Sequence, residues 1–249
     1  MNGLRPGTAL RFAEANDRRQ AIDADDIERV LATCEQGPAT DLKRAGFWRA
    51  VAAVKRDGAL VERYADRIGR IDRAAFERAV RLRVPIGLGV ALQLASIGLG
   101  LVLCTLALAP SGSSPIATTP VREIVFIGAS QGLVGVSHTL AHWLVGTLIG
   151  IRFTHVYSAL PRRPQPGIKI DYASYLRTPP HARAWMHASG AIVTKLLAFG
   201  AAAVAALAGL APWSVWALLA FGAVAIVVDL TLSTRSSDWK RFIREMRAA

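Results

Sequence analysis

Residues 124–151 read IVFIGASQGLVGVSHTLAHWLVGTLIGI. The stretch has 28 residues and no Asp, Glu, Lys or Arg. About 20 apolar residues span a bilayer as a helix, so this one is long enough to cross with some tilt. His138 and His142 stand near its middle. Positions four apart share a helix face. Gln131, Gly135, His138, His142 and Gly146 therefore form one polar-or-small stripe on an otherwise aliphatic cylinder. Such a stripe turns toward other helices and leaves the aliphatic surface to lipid. Imidazoles at that depth are costly without partners, so the pair marks either a functional site or a polar helix interface.

Three more apolar blocks lie around it, at 84–109, 188–211 and 213–233. The chain of 249 residues is 52% hydrophobic with a mean hydropathy of +0.32, and the excess is concentrated after Arg83. The expected fold is all-α: a polytopic membrane protein with four transmembrane helices and an N-terminal helical cytoplasmic segment. The expected divisions are 1–83 for that segment, 84–233 for the membrane domain with a cytoplasmic loop at 152–187, and 234–249 for a basic cytoplasmic tail. The net charge is +12. In a soluble chain this would raise nucleic acid as a partner. Here the bases flank apolar blocks, so the bilayer is the expected partner and nucleic acid is not. Seven arginines fall between Arg63 and Arg83, six bases between Arg152 and Arg183, and five from Arg235 to Arg247. The alternate loops hold only Arg122. The positive-inside rule then puts both ends in the cytoplasm of a cell-membrane protein. Arg5, Arg11, Arg18 and Arg19 leave no apolar core for a signal peptide near the N-terminus. Cys34 and Cys104 make no disulfide framework.

Before the first block the pattern is helical and amphipathic. Asp23 and Asp26 mark a helix start and Gly37-Pro38 its stop. Thr40 opens a second helix to about Arg56, and Asp57-Gly58 breaks it. A third stretch carries Val61, Tyr64, Ile68 and Ile71, and a fourth begins near Asp72. In the long connection, the three prolines of 161–167 predict irregular structure, and 168–176 alternates as a short strand or hairpin edge. Thr178-Pro179 predicts a helix start with Pro179 at its first position.

Inside the blocks the ionisable residues are His138, His142, Lys195 and Asp229. Lys195 can snorkel to the interface, whereas Asp229 has a shorter reach. Two histidines one turn apart and a carboxylate from another span make a metal-ligand set, since hydrolytic zinc takes three protein ligands and leaves the fourth position to water. The set expected on zinc is His138, His142 and Asp229. The bland alternative pairs Asp229 with Lys195 or a histidine as a structural contact.

With His138-Thr139-Leu140-Ala141-His142 and Val228-Asp229-Leu230 in view, the chain resembles the site-2 protease-like intramembrane zinc metalloproteases over residues 124 to about 233. That resemblance implies His138, His142 and Asp229 as metal ligands and a transmembrane protein as substrate or partner. The family's motif has glutamate after the first histidine, where this chain has Thr139. An alcohol is far too weak to take the proton from metal-bound water. Asp171 in the loop is the only candidate substitute. The reading is thus a divergent, metallopeptidase-like membrane protein that no longer cleaves peptides. The competing reading is a non-enzymatic membrane scaffold or assembly protein without metal. A di-iron oxygenase needs more histidines than the five here, and His155, His181 and His187 form no second tight box.

Overall fold

The computed structural model describes residues 23–37, 41–109, 119–159, 163–232 and 237–248. The expectations for the first 22 residues, for Thr40 and for the 110–118 loop lie outside the described residues. The chain divides into two compact units, with the boundary between Ala79 and Val80.

Among its described residues, the first unit holds three helices, α1 (Ala24–Gln36), α2 (Phe47–Val54) and α3 (Gly58–Ala79). Asp23 caps α1 by accepting the Asp26 N–H at 2.7 Å, and Gly37 closes it by donating to the Thr33 carbonyl. Gly46, with φ 79°, takes the left-handed turn that starts α2. The third and fourth expected helices are one. No proline interrupts 58–79, and Gly69 and Asp72 are buried within a continuous α3. Ile27, Leu31, Phe47, Ala50, Val54, Ala65 and Ile68 are fully buried and form the unit's own core. Arg67 of α3 reaches Glu28 and Glu35 on α1. The hydrogen bond from Arg67 is the main reason both carboxyls sit below their ordinary range. Removing the α1 cap with Asp23→Ala is expected to cost about 1 kcal/mol, read as a lower urea midpoint of the helical signal.

The second unit runs β1 (Arg83–Pro85), α4 (Ile86–Leu108), α5 (Thr119–Leu148), β2 (Phe153–Ala159), β3 (Arg163–Ile170), α6 (Tyr172–Arg177), α7 (Pro180–Leu207), α8 (Pro212–Val227), a π-helical turn (Val228–Leu232) and α9 (Asp238–Met246). Among the described residues, four helices are long and apolar enough to cross a membrane: Ile86–Leu108, Pro120–Leu148, Pro180–Leu207 and Pro212–Thr231. They correspond to the four apolar blocks. The third block falls largely within α7, which begins at Pro180 with Pro179 as its cap, one residue after the expected start. Their outward surface is apolar, with Leu99, Leu148, Leu207, Trp216 and Leu230 more than half exposed.

α5 packs against α4 on one side and α7 on the other, and α7 also meets α8 and α9. Small residues set the spacing. A Cβ on Gly100 would come within 2.7 Å of Leu133, so glycine there lets α4 approach α5 closely. At one end, Glu123 is buried and accepts the Ala211 N–H at 2.9 Å, tying the start of α5 to the start of α8.

The three strands form an antiparallel sheet in the order β1-β2-β3. Val84 pairs with Val156, and Val156 with Ile168. The irregular segment expected at 161–167 is instead, from Arg163 on, the strand β3. Its prolines are tolerated because β3 is an edge strand whose outer side needs no ladder donors. The strand expected over 168–176 ends at Ile170. Asp171 turns the chain, and its carbonyl accepts the Tyr175 N–H at the head of α6.

Candidate metal centre

His138 and His142 sit one turn apart on the α5 face that meets α7. Their rings are edge to face, 4.8 Å between centroids. Each is held by its Nδ1. His142 Nδ1 lies 2.7 Å from the Met186 carbonyl, which can only accept, so this nitrogen carries the proton. Ser189 donates to the same carbonyl at 2.7 Å. His138 Nδ1 lies 3.1 Å from Thr194 Oγ1. That hydroxyl already gives its proton to the Gly190 carbonyl, so it accepts from His138. Both imidazoles therefore turn Nε2 inward, 3.3 Å apart.

The carboxylate facing them is Asp238. Its Oδ2 lies 3.1 Å from His138 Nε2 and 3.2 Å from His142 Nε2. Burial pushes this carboxyl up, but the two imidazoles more than offset that and hold it well below the usual carboxylate range. Asp238 is thus a carboxylate against two nitrogens whose Nδ1 partners fix their orientation. Three such atoms at this spacing require something positive between them, either a metal ion or a proton on an Nε2. A tetrahedral ion with bonds of about 2.0–2.2 Å separates its ligands by about 3.3–3.6 Å. The observed 3.1–3.3 Å lies at or just inside that edge.

The structure does not bring the third expected residue to the histidines. Asp229 lies in the π-helical turn and pairs with Lys195 of α7, not with the histidines. Two opposite charges on adjacent apolar helices satisfy each other, and Lys195 does so instead of only snorkelling. Asp238 was missed because it stands in a stretch read only for its positive charge. The available signal was Ser237, which caps α9 by accepting the Lys240 N–H. That cap puts Asp238 in the first helical turn and Glu245 two turns later on the same face.

Glu245 explains why α9 lies where it does. Its Oε2 accepts from Arg183 Nε at 2.9 Å, and both side chains are almost completely buried. Its Oε1 accepts the Tyr175 hydroxyl proton at 2.9 Å. The Tyr175 oxygen in turn accepts from His187 Nε2 at 2.9 Å. Arg183 also donates to the Tyr175 and Leu176 carbonyls at the end of α6. Burial and the adjacent Glu245 charge hold the Tyr175 hydroxyl well above its ordinary value, so it remains a donor.

Thr139 is buried and gives its proton to the Pro166 carbonyl of β3 at 3.1 Å. Asp171 pairs with Arg152 at 3.1 Å at the base of the hairpin, outside the His138–His142–Asp238 group. Of the other histidines, His187 belongs to the Tyr175 network, His155 lies on β2 opposite Pro85 and His181 is exposed.

No family model, curated protein or solved structure matches the chain.

The approach of α7 to the pair depends on Gly190. A Cβ there would run into the His142 ring and come within 2.9 Å of His138 Cε1. Gly146, one turn beyond His142, similarly leaves room for Phe153 and Met186, the residue whose carbonyl holds His142.

Proposed function

We propose that this is a multi-pass cell-membrane protein that holds a divalent metal ion on His138, His142 and Asp238. Its N-terminal unit, its 152–187 connection and α9 lie on the cytoplasmic side, as the loop charges favour. Two imidazole nitrogens and one carboxylate suit zinc, and three protein ligands leave one position for water or a substrate atom. The observation that carries the reading is the convergence of two oriented Nε2 atoms and a carboxylate oxygen within 3.3 Å. The Nδ1 partners, Met186 and Thr194, do what partners behind metal ligands do: they fix the tautomer and aim the ring. Bound there, zinc would supply a polarised water. The resemblance to the site-2 protease-like family supports the histidine pair, although the carboxylate comes from α9 rather than from the last apolar helix. Thr139 spends its proton on Pro166 and Asp171 is paired with Arg152, so neither stands as a base at the centre. We therefore read the protein as metallopeptidase-like but not proteolytic.

The test is metal analysis of detergent-purified protein. Stoichiometric zinc is expected in the natural protein, with large losses in His138→Ala, His142→Ala and Asp238→Asn. Asp229→Asn and Lys195→Ala should keep it. Equal metal content in the natural protein and Asp238→Asn would overturn the ligand set. The same preparations should leave model transmembrane peptides uncut.

One observation also favours a scaffold without metal. The 3.1 and 3.2 Å contacts fit a carboxylate paired with a protonated imidazole. Metal-free natural protein whose unfolding temperature falls in Asp238→Asn would establish that alternative.

A further inference from the structure

The bases of α9 and its C-cap are not alike. Lys240, Arg244 and Arg247 are exposed, whereas Arg241 is half-buried. The contacts of the helix explain the difference. Glu245 meets Arg183, the Phe242 ring meets the Trp185 ring, and Asp238 meets the His142 ring that lies over Gly190. As the numbers fall along α9 they rise along α7, so α9 runs antiparallel beside the first turns of α7. Arg241 stands three residues after Asp238 and four before Glu245, so it shares their inward side. It is level with His187 of α7, whose ring lies in the field of its charge.

No anion answers that charge. Among the described residues, the Arg241 guanidinium makes no ion pair and no hydrogen bond. Glu245 is taken by Arg183, and Asp238 by the histidines. A half-buried cation without a counter-charge is costly. A metal on the neighbouring turn raises the cost. A divalent ion with one carboxylate ligand keeps about one positive charge, and Arg241 makes it about two. A phosphate monoester carries about −1.5 to −2 near neutral pH, which balances this sum. The centre is also open to a ligand, since the His138 and Asp238 side chains are 24% and 22% exposed.

We propose that the centre binds a phosphate monoester, with one oxygen at the metal's open position and two on the Arg241 guanidinium. The proposal rests on the metal reading above and names its ligand class. Three terminal oxygens serve both attachments at once. A carboxylate has only two, and the planar guanidinium fork takes both. A phosphatidic acid headgroup and a soluble phosphomonoester present the same group.

The experiment uses the full chain in phosphatidylcholine nanodiscs, loaded with cobalt(II) in place of zinc. The probes are glycerol phosphate in solution and phosphatidic acid in the disc, each followed by paramagnetic relaxation of its phosphorus NMR signal. Saturable relaxation is expected in the natural protein, and the probe that saturates at lower dose identifies the source. Arg241→Gln should keep its cobalt and bind phosphate about 10–100-fold more weakly. Arg241→Lys, which keeps the charge but not the fork, should fall between the two. Arg247→Gln, which removes an exposed base from the same end of the chain, should match the natural protein. Bound cobalt with no relaxation of either probe would overturn the proposal and leave the metal reading standing. Equal phosphate affinity in the natural protein and Arg241→Gln would also overturn it. So would equal weakening in Arg241→Gln and Arg247→Gln, since only general charge would then be at work. Loss of cobalt in both Arg241 variants would make Arg241 a structural residue and overturn its role as an anion contact. A natural protein that takes up no cobalt would overturn the metal reading, and this ligand with it.

Discussion

Glu245→Ala is expected to destabilise the bundle more than any other single change outside the apolar core. The substitution leaves Arg183, 2% exposed, as a buried cation without its counter-charge, and it takes the acceptor from the Tyr175 hydroxyl. Breaking a buried ion pair by removing one partner costs about 3–5 kcal/mol, because the remaining charge has neither water nor a counter-ion. Replacing both members, Arg183→Met with Glu245→Met, should cost far less, since no orphaned charge remains. The measurement is thermal or denaturant unfolding of the detergent-solubilised chain for Glu245→Ala, and for Arg183→Met, Glu245→Met and their double. The coupling between them is the decisive quantity. If the double variant is as unstable as the sum of the singles, the pair is not the anchor of α9. Metal binding should fall in Glu245→Ala as well, through displacement of Asp238, although Glu245 is no ligand.

The second large effect is expected at Gly190→Val. The β-carbon and its methyls would occupy the space filled by the His142 and His138 rings. The imidazoles cannot give way without losing the Met186 and Thr194 contacts that aim them. Losing such orienting contacts usually lowers metal affinity about 10–100-fold. A titration with a competing zinc chelator measures this, and the helical signal should be retained. Gly200→Val is the control on the same helix, because a Cβ there meets nothing within 4 Å. Equal affinity in the two variants would mean that α7 does not set the geometry of the pair.

The parts of the fold legible in the sequence are those decided by composition over long windows. Four apolar blocks become four long apolar helices because about 20 predominantly apolar residues leave few alternatives. The histidine stripe was legible for a similar reason, since a spacing of four fixes a shared face wherever the helix packs. What depended on packing was not legible. Asp229 looked like the third ligand because it stood in an apolar block, yet Lys195 is within its reach on the neighbouring helix. Asp238 was hidden among bases, and only the phase of α9 relative to Glu245 shows which way it turns. The strand β3 runs against its prolines because edge position, which no local pattern encodes, removes the penalty.

The distribution of the centre along the chain has a consequence for its biosynthesis. His142 precedes Asp238 by 96 residues. At about 5–20 residues per second, the ribosome delivers the acid roughly 5–20 s after the imidazoles. For that interval the histidine pair exists without its carboxylate, while the third and fourth apolar helices are still being made. The complete His138–His142–Asp238 group therefore postdates translation of the bundle. Under the proposed metal reading, selectivity that depends on Asp238 could be exercised only after that point, on a chain whose apolar helices have already been synthesised.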